Sequence, residues 1–148
     1  MPPTPERATL DDLDALALLF DGYRTFYEQA SDLARARDFL RERMLREESV
    51  IFLARDDGTA VGFTQLYPMF SSVRTAPVWV LNDLFVAAHA RGRGVARALL
   101  DAAMAHARAT GAARLTLSTA LTNTTAQRLY EAHGWTRDTE YCEYVAPL

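Results

Sequence analysis

The chain has 148 residues, 49% hydrophobic and 24% charged, with a net charge of −3. That composition excludes a disordered chain, and a mild negative charge without a clustered basic face excludes bulk nucleic-acid binding. One domain is expected at this length. Cys142 is the single cysteine, so no intrachain disulfide can form. The first residues lack the basic and apolar regions of a leader, and no apolar run is long enough to span a membrane. A cytoplasmic protein with no membrane partner is the expectation.

In chain order, Pro2, Pro3 and Pro5 mark a loose N-terminus, and Glu6 to Ala8 can form a short strand. Thr9 with Asp12 reads as a capping-box variant opening a helix over Leu10 to about Tyr27, with Leu13, Leu16, Leu19 and Phe20 as its apolar stripe. Ser31 can cap a second helix running from Asp32 to about Glu47. "VIFLAR" (50–55), "DDGT" (56–59) and "AVGFTQLY" (60–67) read as strand, turn and strand, with Asp57-Gly58 as the hairpin turn and Pro68 interrupting the second strand.

"VWVLNDLFV" (78–86) is apolar on both faces apart from Asn82 and Asp83, as a central strand would be. A helix from about Gly92 to Thr110 follows. Its apolar side is read as Val95, Ala98, Leu99, Ala102 and His106, and Gly111 ends it. "RLTLS" (114–118) is then a strand parallel to 78–86, because a helix connects the two. "NTTAQRLYEAHG" (123–134) is a short helix, and 135–148 is expected to hold one or two last strands, with Cys142 buried in one of them. The class is mixed α/β.

Two features carry chemistry. At the entrance of the 92–110 helix, Gly92 and Gly94 stand among Arg91, Arg93, Val95 and Ala96. The first amides of a helix lack partners and carry partial positive charge, so they attract an anion. Glycines let a bulky anion approach the backbone, and a pyrophosphate fits in size and charge. The pattern is Arg-x-x-Gly-x-Ala, neither of the common nucleotide loops. The second feature is "NTTAQRLYEAHGW", where Asn123, Ala126, Leu129 and Tyr130 share one helix face.

Strand, Arg-x-x-Gly-x-Ala helix, parallel strand and Asn-x-x-Ala-x-x-Leu-Tyr-Glu-x-x-Gly-aromatic together resemble the GCN5-related N-acetyltransferase (GNAT) superfamily over about residues 78–136. The resemblance implies a mostly antiparallel twisted sheet with one parallel pair splayed around coenzyme A, flanked by about four helices, in a single domain over 1–148. It implies an acetyl-CoA-dependent N-acetyltransferase acting on a primary amine, with no metal, and a homodimer formed through the C-terminal strands. The pyrophosphate would lie on the amides of Arg91 to Ala96 and the pantetheine arm on the backbone of Phe85 and Val86. Asn123 would touch the pantetheine region, and Tyr130 would face the sulfur as general acid.

A phenol beside a departing thiolate is suited to donate a proton. "LNDLFV" is similar to the strand of diamine acetyltransferases in which an acidic pair precedes the apolar triplet. Asn82 occupies the first acidic position here, and an amide cannot act as a base. Asp83 remains as proton acceptor, as anchor for a cationic substrate, or as one partner in a strand bulge. Tyr23, Tyr27 and Glu28 lie near the break between the front helices, which in the family helps wall the acceptor site, so Tyr27, Glu28 and Asn82 are expected on the substrate side; helix packing and a solvated acid are the alternative for the first three. His106 is read as a core histidine, and no cluster has metal-ligand spacing. A non-catalytic acyl-CoA-binding module is the alternative.

Overall fold

The computed structural model describes residues 1–148, which divide into two compact units, Met1–Ser118 and Thr119–Leu148. The first holds β1 (Glu6–Arg7), α1 (Leu13–Phe26), α2 (Leu33–Leu45), β2 (Val50–Asp56), β3 (Thr59–Ser71), β4 (Ala76–Val86), α3 (Val95–Ala109) and β5 (Leu115–Leu117). The second holds α4 (Thr124–Ala132). The sheet order is β1-β2-β3-β4-β5, antiparallel throughout except for the parallel β4–β5 pair.

Alternation along the strands divides the core between the two sheet faces. On one face, Leu13, Leu16, Leu19 and Phe20 of α1 and Ala36 and Leu40 of α2 pack with Ile51, Leu53 and Phe63. On the other, Val95 and Leu99 of α3 pack with Ala54, Val61 and Val86. The β2–β3 turn has positive φ at Asp57 (48°) and Gly58 (80°), the type I′ geometry that the Asp-Gly pair predicts.

Two register shifts shape the sheet. In β3, Gly62 opposes Ala54 while Ala60 opposes Arg55, leaving Val61 as an extra residue. In β4, Asp83 opposes Gln65 while Leu81 opposes Leu66, leaving Asn82 as an extra residue. Beyond Leu81 the strand is no longer paired with β5, whose ladder covers only Trp79, Val80 and Leu81. The parallel strands therefore part at the bulge.

Several local expectations are corrected. Asp32, not Ser31, caps α2, its Oδ1 accepting from the Arg35 amide at 3.1 Å; the Ser31 hydroxyl instead donates to Asp21 at 2.6 Å. β3 runs through Pro68 to Ser71 because β2 stops pairing at Leu66, and an edge tolerates a missing N–H. α3 starts at Val95, with Gly92 and Gly94 in the left-handed turn before it. Its buried line is Val95, Leu99, Leu100, Ala103 and Ala107, rotated from the stripe through Ala102 and His106. His106 is half-buried between the rings of Phe52 (5.6 Å) and Trp79 (5.0 Å), and burial depresses its pKa. The N-terminal prolines line a cavity of about 660 Å³ along α3. Residues 135–148 carry no strand, and Cys142 is exposed rather than buried.

Candidate active site

The bulge in β4 aims two neighbouring polar side chains at each other. Asp83 is 1% exposed, on the α1 face of the sheet. Its Oδ2 accepts from Gln65 Nε2 at 2.6 Å and its Oδ1 from Asn82 Nδ2 at 2.7 Å. The Tyr23 hydroxyl, from α1, donates to the Asn82 carbonyl at 3.3 Å. Burial pushes the Asp83 carboxyl above the ordinary range, and the bonds from Asn82 and Gln65 pull it partly back. The same burial, with the Asp83 charge next in size, raises the Tyr23 phenol well above its usual value; Tyr67 is raised for the same two reasons. Both phenols are thus neutral across the physiological range. Gln65 is fully buried, and its Oε1 has no hydrogen-bond partner.

Tyr27 closes α1 with its ring 5.0 Å from that of Tyr23, and Glu28 follows with φ of 63°. Both are exposed, as is Asn82. Tyr23, Asn82 and Asp83 therefore form one hydrogen-bonded set. Tyr27 joins it through ring contact, whereas no bond ties Glu28 to it.

Past the bulge, Leu84, Phe85 and Val86 keep their β3 partners, and their β5-side edge has no strand beside it. Thr64 Oγ1 donates to the Asp83 carbonyl at 2.8 Å and fixes this stretch from the α3 face. The turn before α3 follows, with Gly92 at φ 74° and Gly94 at φ 80°. A Cβ at Gly92 would meet nothing within 4 Å, so the turn opens outward. The amides of Val95, Ala96 and Arg97 begin the 15-residue α3 and have no intrahelical acceptor.

The flanking arginines are held by other groups. Arg91 Nε donates to the Val86 carbonyl at 2.9 Å, with its guanidinium 5.8 Å from the Phe85 ring and 6.0 Å from Phe26. Arg93 pairs with Asp56 at 2.8 Å. The positive character of this turn comes from backbone amides together with two tethered guanidiniums. An unpaired strand edge running into a glycine turn and a helix N-terminus suits an extended ligand with amide groups at one end and phosphates at the other. Acetyl-CoA fits that description.

In the second unit Asn123 caps α4, its Oδ1 accepting from the Ala126 amide at 3.1 Å. Tyr130 lies in the last turn of α4 with its ring 6.2 Å from Trp135.

Residues 14–135 match the Acetyltransferase (GNAT) family. This chain belongs to that family. It is similar to the uncharacterized N-acetyltransferase YhfO of Bacillus subtilis, at 48% identity over 138 residues covering 93% of each chain. It is also similar to a probable acetyltransferase of Haemophilus influenzae, at 38% identity over 62% of this chain and 64% of that one. The crystal structure of a probable acetyltransferase superposes with a TM-score of 0.93 at 45% identity, covering 97% of both chains. An aminoglycoside N-acetyltransferase solved with CoA shares the fold, with a TM-score of 0.83 at 21% identity over 97% of this chain and 94% of that one. The mixed sheet with one splayed parallel pair is the GNAT arrangement, and the protein is an acetyltransferase.

Gln65 and Tyr67 escaped the sequence reading as site residues, and Tyr23 entered only as part of an aromatic wall. The available signal was the "GFTQLYP" stretch, where a glutamine interrupts an otherwise buried strand.

Proposed function

We propose that the protein transfers acetyl from acetyl-CoA to a primary amine, by direct attack of the neutral amine in a ternary complex. The observation that carries the reading is the continuous run of β4's unpaired edge, the Gly92–Gly94 turn and the first amides of α3. In this reading the backbone of Phe85 and Val86 meets the pantetheine arm, and the amides from Arg91 to Ala96 receive the pyrophosphate. Asn123 is assigned to the pantetheine by its place in the Asn-x-x-Ala-x-x-Leu-Tyr motif.

Acetyl-CoA supplies a thioester whose carbonyl carbon the amine attacks. A backbone N–H in the 84–86 stretch stabilises the developing oxyanion. Tyr130 donates its proton to the departing thiolate; its place in the Asn-x-x-Ala-x-x-Leu-Tyr motif supports this role. Asp83 with Asn82 serves the acceptor side, and Tyr27 and Glu28 line its approach. The acceptor is a polyamine, an amino acid or a protein lysine.

The family match spans both compact units, which supports one acetyltransferase domain over the whole chain. A cytoplasmic location is part of the proposal; no helix is long and apolar enough to cross a membrane. So is a homodimer, supported by the exposed Tyr141, Tyr144 and Val145 of the C-terminal segment, and sedimentation velocity would read it directly.

The test is CoA release from acetyl-CoA against polyamines, amino acids and a lysine-rich peptide. Turnover with one class is expected. Tight acetyl-CoA binding without acetylation of any amine would favour a non-catalytic acyl-CoA-binding module, the reading that Asn82 in place of an acid favours.

A further inference from the structure

Asn82 is the first β4 residue beyond the last β4–β5 pair, Leu81–Leu117, so it stands where the parallel strands part. It is exposed, while its neighbour Asp83 is 1% exposed. Three bonds fix this extra residue of the bulge. Its Nδ2 donates to Asp83 Oδ1 at 2.7 Å, its carbonyl accepts from the Tyr23 hydroxyl at 3.3 Å, and the Asp83 carbonyl after it accepts from Thr64 Oγ1 at 2.8 Å. Gln65 Nε2 occupies the other Asp83 oxygen at 2.6 Å. A carboxylate accepts hydrogen bonds and an amide donates them only from nitrogen, so Asp83 decides which way the Asn82 amide is turned. The nitrogen faces inward, and Oδ1 is the atom left to meet a ligand.

We propose that the acceptor amine docks by an N–H on Asn82 Oδ1, and that the site therefore selects amines already neutral near pH 7, the α-amino groups of amino acids and peptides. The inference rests on the acetyltransfer reading above. It makes Asn82 a catalytic residue, because it touches the reacting nitrogen, and makes Asp83 and Gln65 its positioning residues. In the transfer, the amine nitrogen bonds the thioester carbon and the carbon–sulfur bond breaks. The thiolate takes the Tyr130 proton. The surplus proton on nitrogen passes to water, and water restores the phenol.

An amide oxygen accepts an N–H but takes no proton. The bond from Nδ2 to a buried carboxylate polarises the amide and strengthens that oxygen as an acceptor. An ammonium group must therefore lose its proton to water before it can attack. Peptide α-amino groups titrate at about 8 and lysine-type amines at about 10.4, so at about pH 7 the neutral fraction is roughly 200-fold larger for the former. The other groups around this apex supply no proton acceptor to it. Tyr23 of α1 donates to the Asn82 carbonyl, Tyr67 of β3 is a neutral phenol, and Arg43 of α2 is bound to Glu48 at 2.6 Å. Arg91 is tied to the Val86 carbonyl, and β5 sets only Leu115, Thr116 and Leu117 beside β4. Tyr27 and Glu28, at the end of α1, are exposed and bond neither Asn82 nor Asp83.

The test measures kcat/KM for three acceptors: an alanine-led tripeptide with a free α-amine, N-acetyl-lysine with only its side-chain amine free, and spermidine. At about pH 7 the wild type should favour the tripeptide by at least about tenfold, part of the 200-fold being given back by the weaker nucleophile, and the gap should close near about pH 10. Asn82→Ala should lower kcat/KM for the tripeptide by about tenfold, with acetyl-CoA affinity by calorimetry unchanged. Asn82→Asp puts a proton acceptor at the same point, and should raise N-acetyl-lysine relative to the tripeptide by at least about tenfold at about pH 7. Asp83→Asn should lose the same factor at about pH 7 and about pH 9, because it loosens Asn82 and removes no base. Equal turnover of the three amines at about pH 7, or an Asn82→Ala loss below about threefold, overturns the inference while leaving acetyl transfer intact. So does a deficit in Asp83→Asn or Glu28→Gln that fades at about pH 9, which identifies a base. If the wild type binds acetyl-CoA but turns over none of the three amines, the amine-transfer reading falls and this inference falls with it.

Discussion

Gln65→Met offers a quantitative check on the buried acid. Methionine preserves length and approximate volume, so the change removes a hydrogen-bond donor with little effect on packing. The lost bond is the 2.6 Å contact from Gln65 Nε2 to Asp83 Oδ2, made where both residues are buried. Hydrogen bonds to a charged group contribute roughly 1.5–3 kcal/mol. The bond favours the charged form, so losing it should lift the Asp83 pKa further.

The sign follows from linkage. Asp83 already titrates above its ordinary 3.8. Its favourable contribution is fully present below 3.8 and is lost as pH rises through the folded-state pKa. The variant, with a still higher folded pKa, loses more over the same rise. Urea unfolding followed by Trp79 and Trp135 fluorescence should therefore show a deficit of roughly 1.5–3 kcal/mol near pH 8 and a clearly smaller one near pH 4. Removing the unpartnered Oε1 recovers part of the loss at both pH values. A deficit of equal size at both pH values, or none near pH 8, would refute an ionised Asp83 held by Gln65.

Other changes probe the remaining parts of the site. Tyr130→Phe should lower kcat by at least about tenfold while leaving acetyl-CoA affinity unchanged; an unaltered kcat removes the general acid. Gly92→Ala places a side chain at φ 74° and should cost roughly 1–2 kcal/mol in thermal unfolding, with several-fold weaker acetyl-CoA binding by calorimetry. Gly62→Ala sets a Cβ 3.0 Å from the Phe85 carbonyl oxygen and 3.1 Å from Val95 Cγ1. It should destabilise by roughly 1–3 kcal/mol, or about 3–10 °C in Tm, and a Tm within a degree of wild type would contradict that packing.

What the sequence disclosed follows from how local each signal is. The Asp57-Gly58 turn and the α1 stripe each depend on a few neighbouring residues, and each is found where the spacing put it. The parallel β4–β5 pair followed from a single topological rule, that a helix returns the chain to the same end of the sheet. The buried line of α3 was misplaced because alanine reads as equally at home on either side, so Ala102 and Ala103 compete without a decisive hydrophobic difference. The C-terminal segment alternates in sequence yet forms no strand; alternation specifies a face, while strand formation needs a neighbouring strand to receive its N–H and C=O groups.

The acid site illustrates the same limit at a finer scale. Asn82 and Asp83 stood out as polar residues in an apolar strand, but Gln65 lies 18 positions away and Tyr23 lies 60 positions away. They meet the Asn82–Asp83 pair only because one bulge shifts the register of β4 by a residue. Without Asn82 as the extra residue, every side chain beyond it would face the other side of the sheet. Asp83 would then project toward α3, away from Tyr23 and Gln65, and Phe85 would leave the α1 core. The residue that departs from the diamine acetyltransferase pattern is thus the one whose backbone creates the site. This explains how an amide can occupy that position: its structural task belongs to the main chain, and its side chain is free to steady Asp83 at 2.7 Å.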